Sequence, residues 1–104
     1  MRIERVEAGG GPVFRLSGRL EGLASRHLLR MLNGPTSDGD VITIDASTLE
    51  TCDAQGADAL VWLTKRARTA GGDLLLTAPQ ACVLDELQEA GALDGLQVTR
   101  TQKQ

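Results

Sequence analysis

Residues 41–56 read Val41-Ile42-Thr43-Ile44-Asp45-Ala46-Ser47-Thr48-Leu49-Glu50-Thr51-Cys52-Asp53-Ala54-Gln55-Gly56. The opening, Val41 to Asp45, is β-branched and nearly continuous in apolar character. That pattern predicts a central strand, covered on both faces or at one end. From about Gln55 the period becomes helical, and the helix should run to Ala70 and stop at Gly71-Gly72. Its core face holds Leu60, Leu63 and Ala67, while Gly56 and Ala59 are small enough to let it approach a sheet closely. The stretch between strand and helix is longer than the roughly two to six residues usual for such a connection. Long connections at the carboxyl end of a strand, feeding a helix N-terminus, are where α/β domains place their sites. Asp53 is positioned to cap the helix, its carboxylate accepting free backbone N–H groups.

Working outward, Ile3, Arg5 and Glu7 alternate with Glu4, Val6 and Ala8, and an extended pattern resumes from Val13 to Leu16. The break between them, Gly9 to Gly11 and Pro12, makes the pair a β-hairpin. These glycines have no Lys or Ser/Thr behind them and open no helix directly, so they do not form a phosphate loop. Glu21 to Asn33 is helical in period, with Ala24, Leu28, Met31 and Leu32 on one face and Arg26 and Arg30 on another. Asn33-Gly34-Pro35 supplies its stop. Leu74 to Leu76 predicts a buried strand. Pro79 opens a third helix with an apolar stripe of Val83, Leu84, Leu87 and Ala90, and Gly91 ends it. Leu96 to Thr99 is a last strand and Thr101 to Gln104 a polar tail, so the domain spans residues 1–100 and the tail 101–104. The order β-β-α-β-α-β-α-β specifies one α/β domain. Its mixed, mainly parallel sheet of four or five strands packs with three or more helices.

The 104 residues suffice for one domain with one core. Eleven Lys and Arg against 14 Asp and Glu give a net charge of −3 with no block of like sign, which disfavours a nucleic-acid partner. Phe14 and Trp62 are the only aromatic residues, so the core must be aliphatic. Cys52 and Cys82 lie too far apart in sequence for a metal knuckle and read as small buried hydrophobes. His27 has no second His to complete a metal site or a proton relay. No apolar run approaches the roughly 20 residues that cross a bilayer, and Met1 to Ala8 lacks the apolar core of a signal peptide, so a cytoplasmic protein is expected. Without a Walker-type loop, a ligand cluster or an inferable triad, enzyme chemistry and nucleotide hydrolysis are not expected, and neither is a cofactor or a metal. Asp45 and Asp53 could be imagined as a carboxylate pair, but nothing assigns them an acid–base role.

Ile44-Asp45-Ala46-Ser47, then Leu49, then Asp53-Ala54-Gln55-Gly56, resembles the strand and switch loop of STAS domains, the family of the anti-sigma factor antagonists. Leu16-Ser17-Gly18-Arg19-Leu20-Glu21 is similar to the family's second strand and its "G-x-L-D" turn. Ala78-Pro79 through Val83, Leu87, Gly91 and Leu93 is similar to its closing helix. The resemblance therefore covers nearly the whole chain. It implies a bacterial signalling module that docks to a protein, with a switch loop reading roughly Asp-Ser-Ser-Gly that a kinase-like anti-sigma factor phosphorylates. Phosphorylation there would add about −1.5 to −2 charges beside a helix N-terminus. Here the two serine positions hold Ala54 and Gln55, neither of which accepts a phosphate. The Thr that some STAS subunits of phospholipid ABC transporters carry at the first of them is also missing. Ser47, Thr48 and Thr51 are hydroxyls upstream of the helix start and read as formers of loop hydrogen bonds.

Trp62 falls with Asp58, Lys65 and Arg66 on a helical wheel, away from the core stripe, which is how an interface anchor is placed. The partner-binding set expected from these readings is Glu21, Thr51, Asp53, Ala54, Gln55, Asp58 and Trp62. The partner is expected to be an anti-sigma factor or kinase-like ATPase. The alternative is the ATPase subunit of a phospholipid-type ABC transporter, with this chain as a small cytoplasmic STAS subunit.

Overall fold

The computed structural model describes residues 1–8, 11–92 and 95–99. Gly9 and Gly10 of the expected hairpin turn, Leu93 and the tail from 101 to 104 lie outside the described residues. Strands β1 (Arg2–Ala8) and β2 (Gly11–Leu20) are followed by α1 (Leu23–Thr36), β3 (Val41–Cys52), α2 (Ala54–Thr69), β4 (Asp73–Thr77), α3 (Ala81–Glu89) and β5 (Gln97–Thr99). The strands form one sheet in the order β1-β2-β3-β4-β5. β1 is antiparallel to β2, and every later neighbour pair is parallel. This is the α/β architecture and element order expected from the sequence.

Each helix joins neighbouring parallel strands, always stepping in the same direction across the sheet. Right-handed crossovers then place all three helices on one face. The burial pattern agrees. Phe14, Ile44 and Leu76 are in register on the covered face and buried, with Val98 beside them at the edge. The alternate row Val13, Thr43, Leu75 and Gln97 lies on the other face and is not buried. The central strand is thus covered on one face only.

β3 is longer than its apolar opening suggests. Val41–Asp45 pairs with β4, and the strand then continues to Cys52 against β2 alone. Two register shifts, between Arg15 and Ser17 and between Gly18 and Arg19, accompany that continuation. Bulges of this kind break the alternation of two. The buried residues here are Ala46, Leu49 and Cys52, a spacing of three that does not read as a strand. The expected long connection is therefore mostly strand, and Asp53 alone separates it from α2.

α1 begins later and ends later than the expected Glu21–Asn33. It passes through Gly34 and Pro35, and Ser25, Leu28, Leu32 and Thr36 form its buried face. Met31 is exposed and Ala24 half-buried, so the expected apolar stripe is rotated. Pro35 does not end the helix, which runs one residue further to Thr36, and hydroxyls bond carbonyls of its last turn. Thr36 Oγ1 donates to Leu32 O at 2.7 Å and Ser37 Oγ to Asn33 O at 2.8 Å. Pro12 lies inside β2 opposite Glu7, one residue before pairing with β3 starts, so at this position β2 has a neighbour on one side only. α3 starts at Ala81 with Gln80 as N-cap, leaving Pro79 in the preceding turn, and Ala90 is its exposed C-cap. α2 occupies nearly its expected range and buries Gly56, Ala59, Leu60, Leu63 and Ala67 as expected.

Candidate functional site

The end of β3 and the start of α2 are held by one side chain. The Asp53 carboxylate accepts the Gly56 N–H at 2.9 Å through Oδ1, which caps the helix, and the Gly22 N–H at 3.1 Å through Oδ2. Its own backbone N–H donates to Leu20 O at 3.2 Å. One residue thereby fastens the β2–α1 turn to the α2 N-terminus. Gly56 completes the joint, because a Cβ there would come within 2.5 Å of Leu20 O and 3.0 Å of Cys52 Sγ. Gly22, the N-cap of α1, sits at φ +53, a left-handed conformation suited to glycine.

With the two turns tied together, the first halves of α1 and α2 lie side by side. Between them runs a groove of about 500 Å³, walled by Leu23, Arg26 and Leu29 from α1 and by Gln55, Asp58 and Trp62 from α2. Leu23 is 77% and Trp62 46% exposed. The Arg66 guanidinium lies over the Trp62 ring at 5.4 Å from its centroid and donates to Ser37 Oγ at 2.8 Å. Beyond Trp62 a second groove, of about 420 Å³, continues between Ser37, Lys65, Arg66 and Thr69. Trp62 is the ridge between the two.

Of the residues singled out from the sequence, Gln55, Asp58 and Trp62 share the first groove, and Asp53 and Ala54 stand at its end. Ala54 and Gln55 are exposed in the first turn of α2. Glu21 is exposed in the turn before Gly22 but is not a wall of the groove. Thr51 is not part of this surface: its Oγ1 is buried with no hydrogen-bond partner. Leu23, Arg26 and Leu29 were missed, because only the apposition of α1 and α2 gives their outer positions a shared purpose.

The hydroxyls upstream of the helix are committed to local bonds. Ser47 Oγ donates to Asp45 Oδ1 at 2.7 Å and Thr48 Oγ1 to Leu16 O at 2.7 Å. Asp45 also accepts from the Ser47 N–H at 3.0 Å and from Arg15 Nε at 3.3 Å. Burial alone would raise this carboxyl, but the Ser47 and Arg15 contacts outweigh it and hold it below its ordinary 3.8. Cys52 is buried, its thiol pushed up to about 12 chiefly by desolvation, while Cys82 is half-buried; both are free thiols. Among the described residues no group of three His, Cys, Asp or Glu could hold a metal ion, and no helix is long and apolar enough to cross a membrane.

The family model described as "Mlab, STAS domain" matches residues 3–98. No curated protein matches the sequence significantly. A solved structure of the anti-sigma factor antagonist SpoIIAA in its unphosphorylated form is similar at a TM-score of 0.76 and 17% identity, over 93% of this chain and 87% of that one. A Thermotoga maritima protein described as an anti-sigma factor antagonist is similar at 0.80 and 14%, over 95% of this chain and 86% of that one. At these identities the likeness to both is one of fold.

Proposed function

The chain belongs to the STAS domain family, and from that membership we propose that residues 1–100 form a non-enzymatic docking module that regulates another protein through the α1/α2 surface, with 101–104 a polar tail outside it. The observation that carries this reading is the joint at Asp53. It holds Ala54 and Gln55 exposed at a helix start, beside a groove that ends at the half-exposed Trp62. A fixed start and an aromatic anchor along one helix make a recognition surface whose shape exists before the partner arrives. Asp53, Asp58 and Glu21 supply polar groups around it.

In the anti-sigma factor antagonists that this chain resembles, a serine at this helix start is the switch. Ala54 and Gln55 carry no hydroxyl, so this surface stays uncharged at those positions and docking is governed by the abundance of the module or by its partner. Cytoplasmic location and a partner of the kinase-like ATPase kind accord with that reading. A second reading, a small STAS subunit bound to the ATPase of a phospholipid-type ABC transporter, is favoured by Leu23. A leucine 77% exposed beside Trp62 suits a lasting contact more than an exchanging one.

The test is affinity capture with the full chain as bait, identification of the bound protein by mass spectrometry, and titration of that protein against Trp62→Ala. Loss of about tenfold or more in affinity is expected for a central aromatic anchor. An unchanged affinity removes the α2 surface from the contact. Stoichiometric labelling anywhere between residues 47 and 55 by a cognate kinase and ATP would refute the unswitched reading.

A further inference from the structure

The helices that wall the two grooves carry a charge imbalance opposite to that of the whole chain. α1 holds Arg26 and Arg30 and no acid, and α2 holds Lys65, Arg66 and Arg68 against Asp58 alone. Arg68 is engaged by Asp73 at 2.8 Å. Of the charged side chains that line the two grooves, Arg26, Lys65 and Arg66 are cations and Asp58 is an acid, while the Asp53 carboxylate at the groove's end is taken up by the Gly22 and Gly56 N–H groups. Glu21 and Asp38 stand just outside the two ends of α1. By contrast α3 holds Asp85, Glu86 and Glu89 and no base. In a chain of net charge −3, positive charge is thus gathered on the α1/α2 side of the helical layer, while its α3 side is acidic. The α1/α2 side also presents Leu23, Met31 and Trp62, at 77%, 49% and 46% exposure.

We propose, resting on the docking reading above, that this side receives an acidic amphipathic segment of the partner protein. Its apolar side chains fill the groove between Leu23 and Trp62, and its carboxylates lie over Arg26, Lys65 and Arg66. Charge complementarity selects the occupant. Cations placed around an apolar groove match a segment with an apolar stripe and acidic flanks, whereas a phosphate backbone gains nothing from burying Leu23 or Leu29. Arg66 is already oriented by Ser37 and the Trp62 ring, so little freedom is lost when it meets a carboxylate.

The experiment titrates the isotope-labelled full chain with two synthetic helical peptides of equal length, one built from Leu and Glu and the other from Leu and Lys, and follows the amide signals by NMR. The Glu peptide is expected to bind and to shift signals in the first half of α1 and along α2. Binding should weaken as salt rises from about 0.1 M to about 0.5 M. Arg26 and Lys65 are exposed, so the double variant Arg26→Glu, Lys65→Glu should fold, as an unchanged thermal midpoint would verify, and lose about tenfold in affinity. Equal binding of the Lys peptide, absence of binding by the Glu peptide, or shifts confined to the open sheet face would overturn the inference. So would a tighter response of the same amides to duplex DNA or to phosphatidylglycerol vesicles. With the captured partner, sensitivity to Trp62→Ala combined with indifference to the double reversal overturns this inference and leaves the docking reading standing.

Discussion

The two halves of β3 are built by different rules. Val41–Asp45 pairs with β4 on one side and, from Thr43, with β2 on the other, in unbroken register. Ala46–Cys52 pairs with β2 only, through two register shifts, and its buried residues come every third position. The first half makes the sheet. The second is extended backbone bent to deliver Asp53 to the α2 N-terminus and to the β2–α1 turn together. A regular strand would end where the sheet ends, whereas a bulged one can carry its last residues out to a joint between helices.

The largest break in this comparison should come at Gly56, where the second half of the strand meets α2. A methyl at this position meets a backbone carbonyl, Leu20 O, as well as the Leu20 side chain and Cys52 Sγ, and a carbonyl cannot swing aside as a side-chain end can. Gly56→Ala is expected to destabilise by about 3 kcal/mol in chemical denaturation. The alternative relief is outward displacement of α2, which would widen the groove. A variant as stable as the parent would mean that the joint has slack, and that the bulged half does not fix the helix.

Asp53→Ala probes the same joint without steric conflict. It removes the cap on Gly56 N–H and the bond from Gly22 N–H, for an expected loss of about 2 kcal/mol. The discriminating measurement is hydrogen exchange. Amides at the first turns of α1 and α2 should exchange faster, while those of Val41–Asp45 and β4 keep their relative protection. Uniform loss of protection across the sheet would show that the two halves of β3 are one cooperative unit.

The contrast between the halves also sets what could be read from the residues alone. β-branched Val41–Ile44, the stripe Leu60, Leu63, Ala67 and the capping role of Asp53 follow local rules, and each element lies close to its expected place. Ala46–Cys52 reads as a loop because bulging replaces alternation with a spacing of three. The continuation of α1 past Pro35 was hidden for a different reason. Thr36 and Ser37 return their hydroxyls to carbonyls one turn back, local bonds at the helix end that no pattern of hydrophobicity records. The α2 wall of the groove, with Trp62 off the core stripe, was legible on a wheel. The α1 wall was not, since Leu23 and Leu29 acquire a common purpose only once Asp53 draws the two turns together. The family resemblance was legible because its motifs lie in order along nearly the whole chain, and the matching of residues 3–98 bears it out.

The smallest expected effect lies at the boundary between the halves, where Asp45 closes the regular strand. Its carboxylate binds Ser47, near the start of the bulged stretch, and Arg15 on β2, so it fastens the start of the departure. Because these contacts hold its folded-state value below 3.8, the folded chain binds its proton less readily than the unfolded chain does. The resulting stabilisation is therefore full above about pH 4 and is lost as pH falls through the lowered folded-state value. Asp45→Asn keeps the shape but removes the charge, and should cost about 1 kcal/mol at neutral pH. Denaturation midpoints between about pH 3 and pH 7 should then fall less steeply with acid for the variant than for the parent, bringing the two curves together at the acid end. Parallel curves across that range would show that Asp45 is held by shape rather than by charge, and that the turn from regular to bulged strand owes nothing to its ionisation.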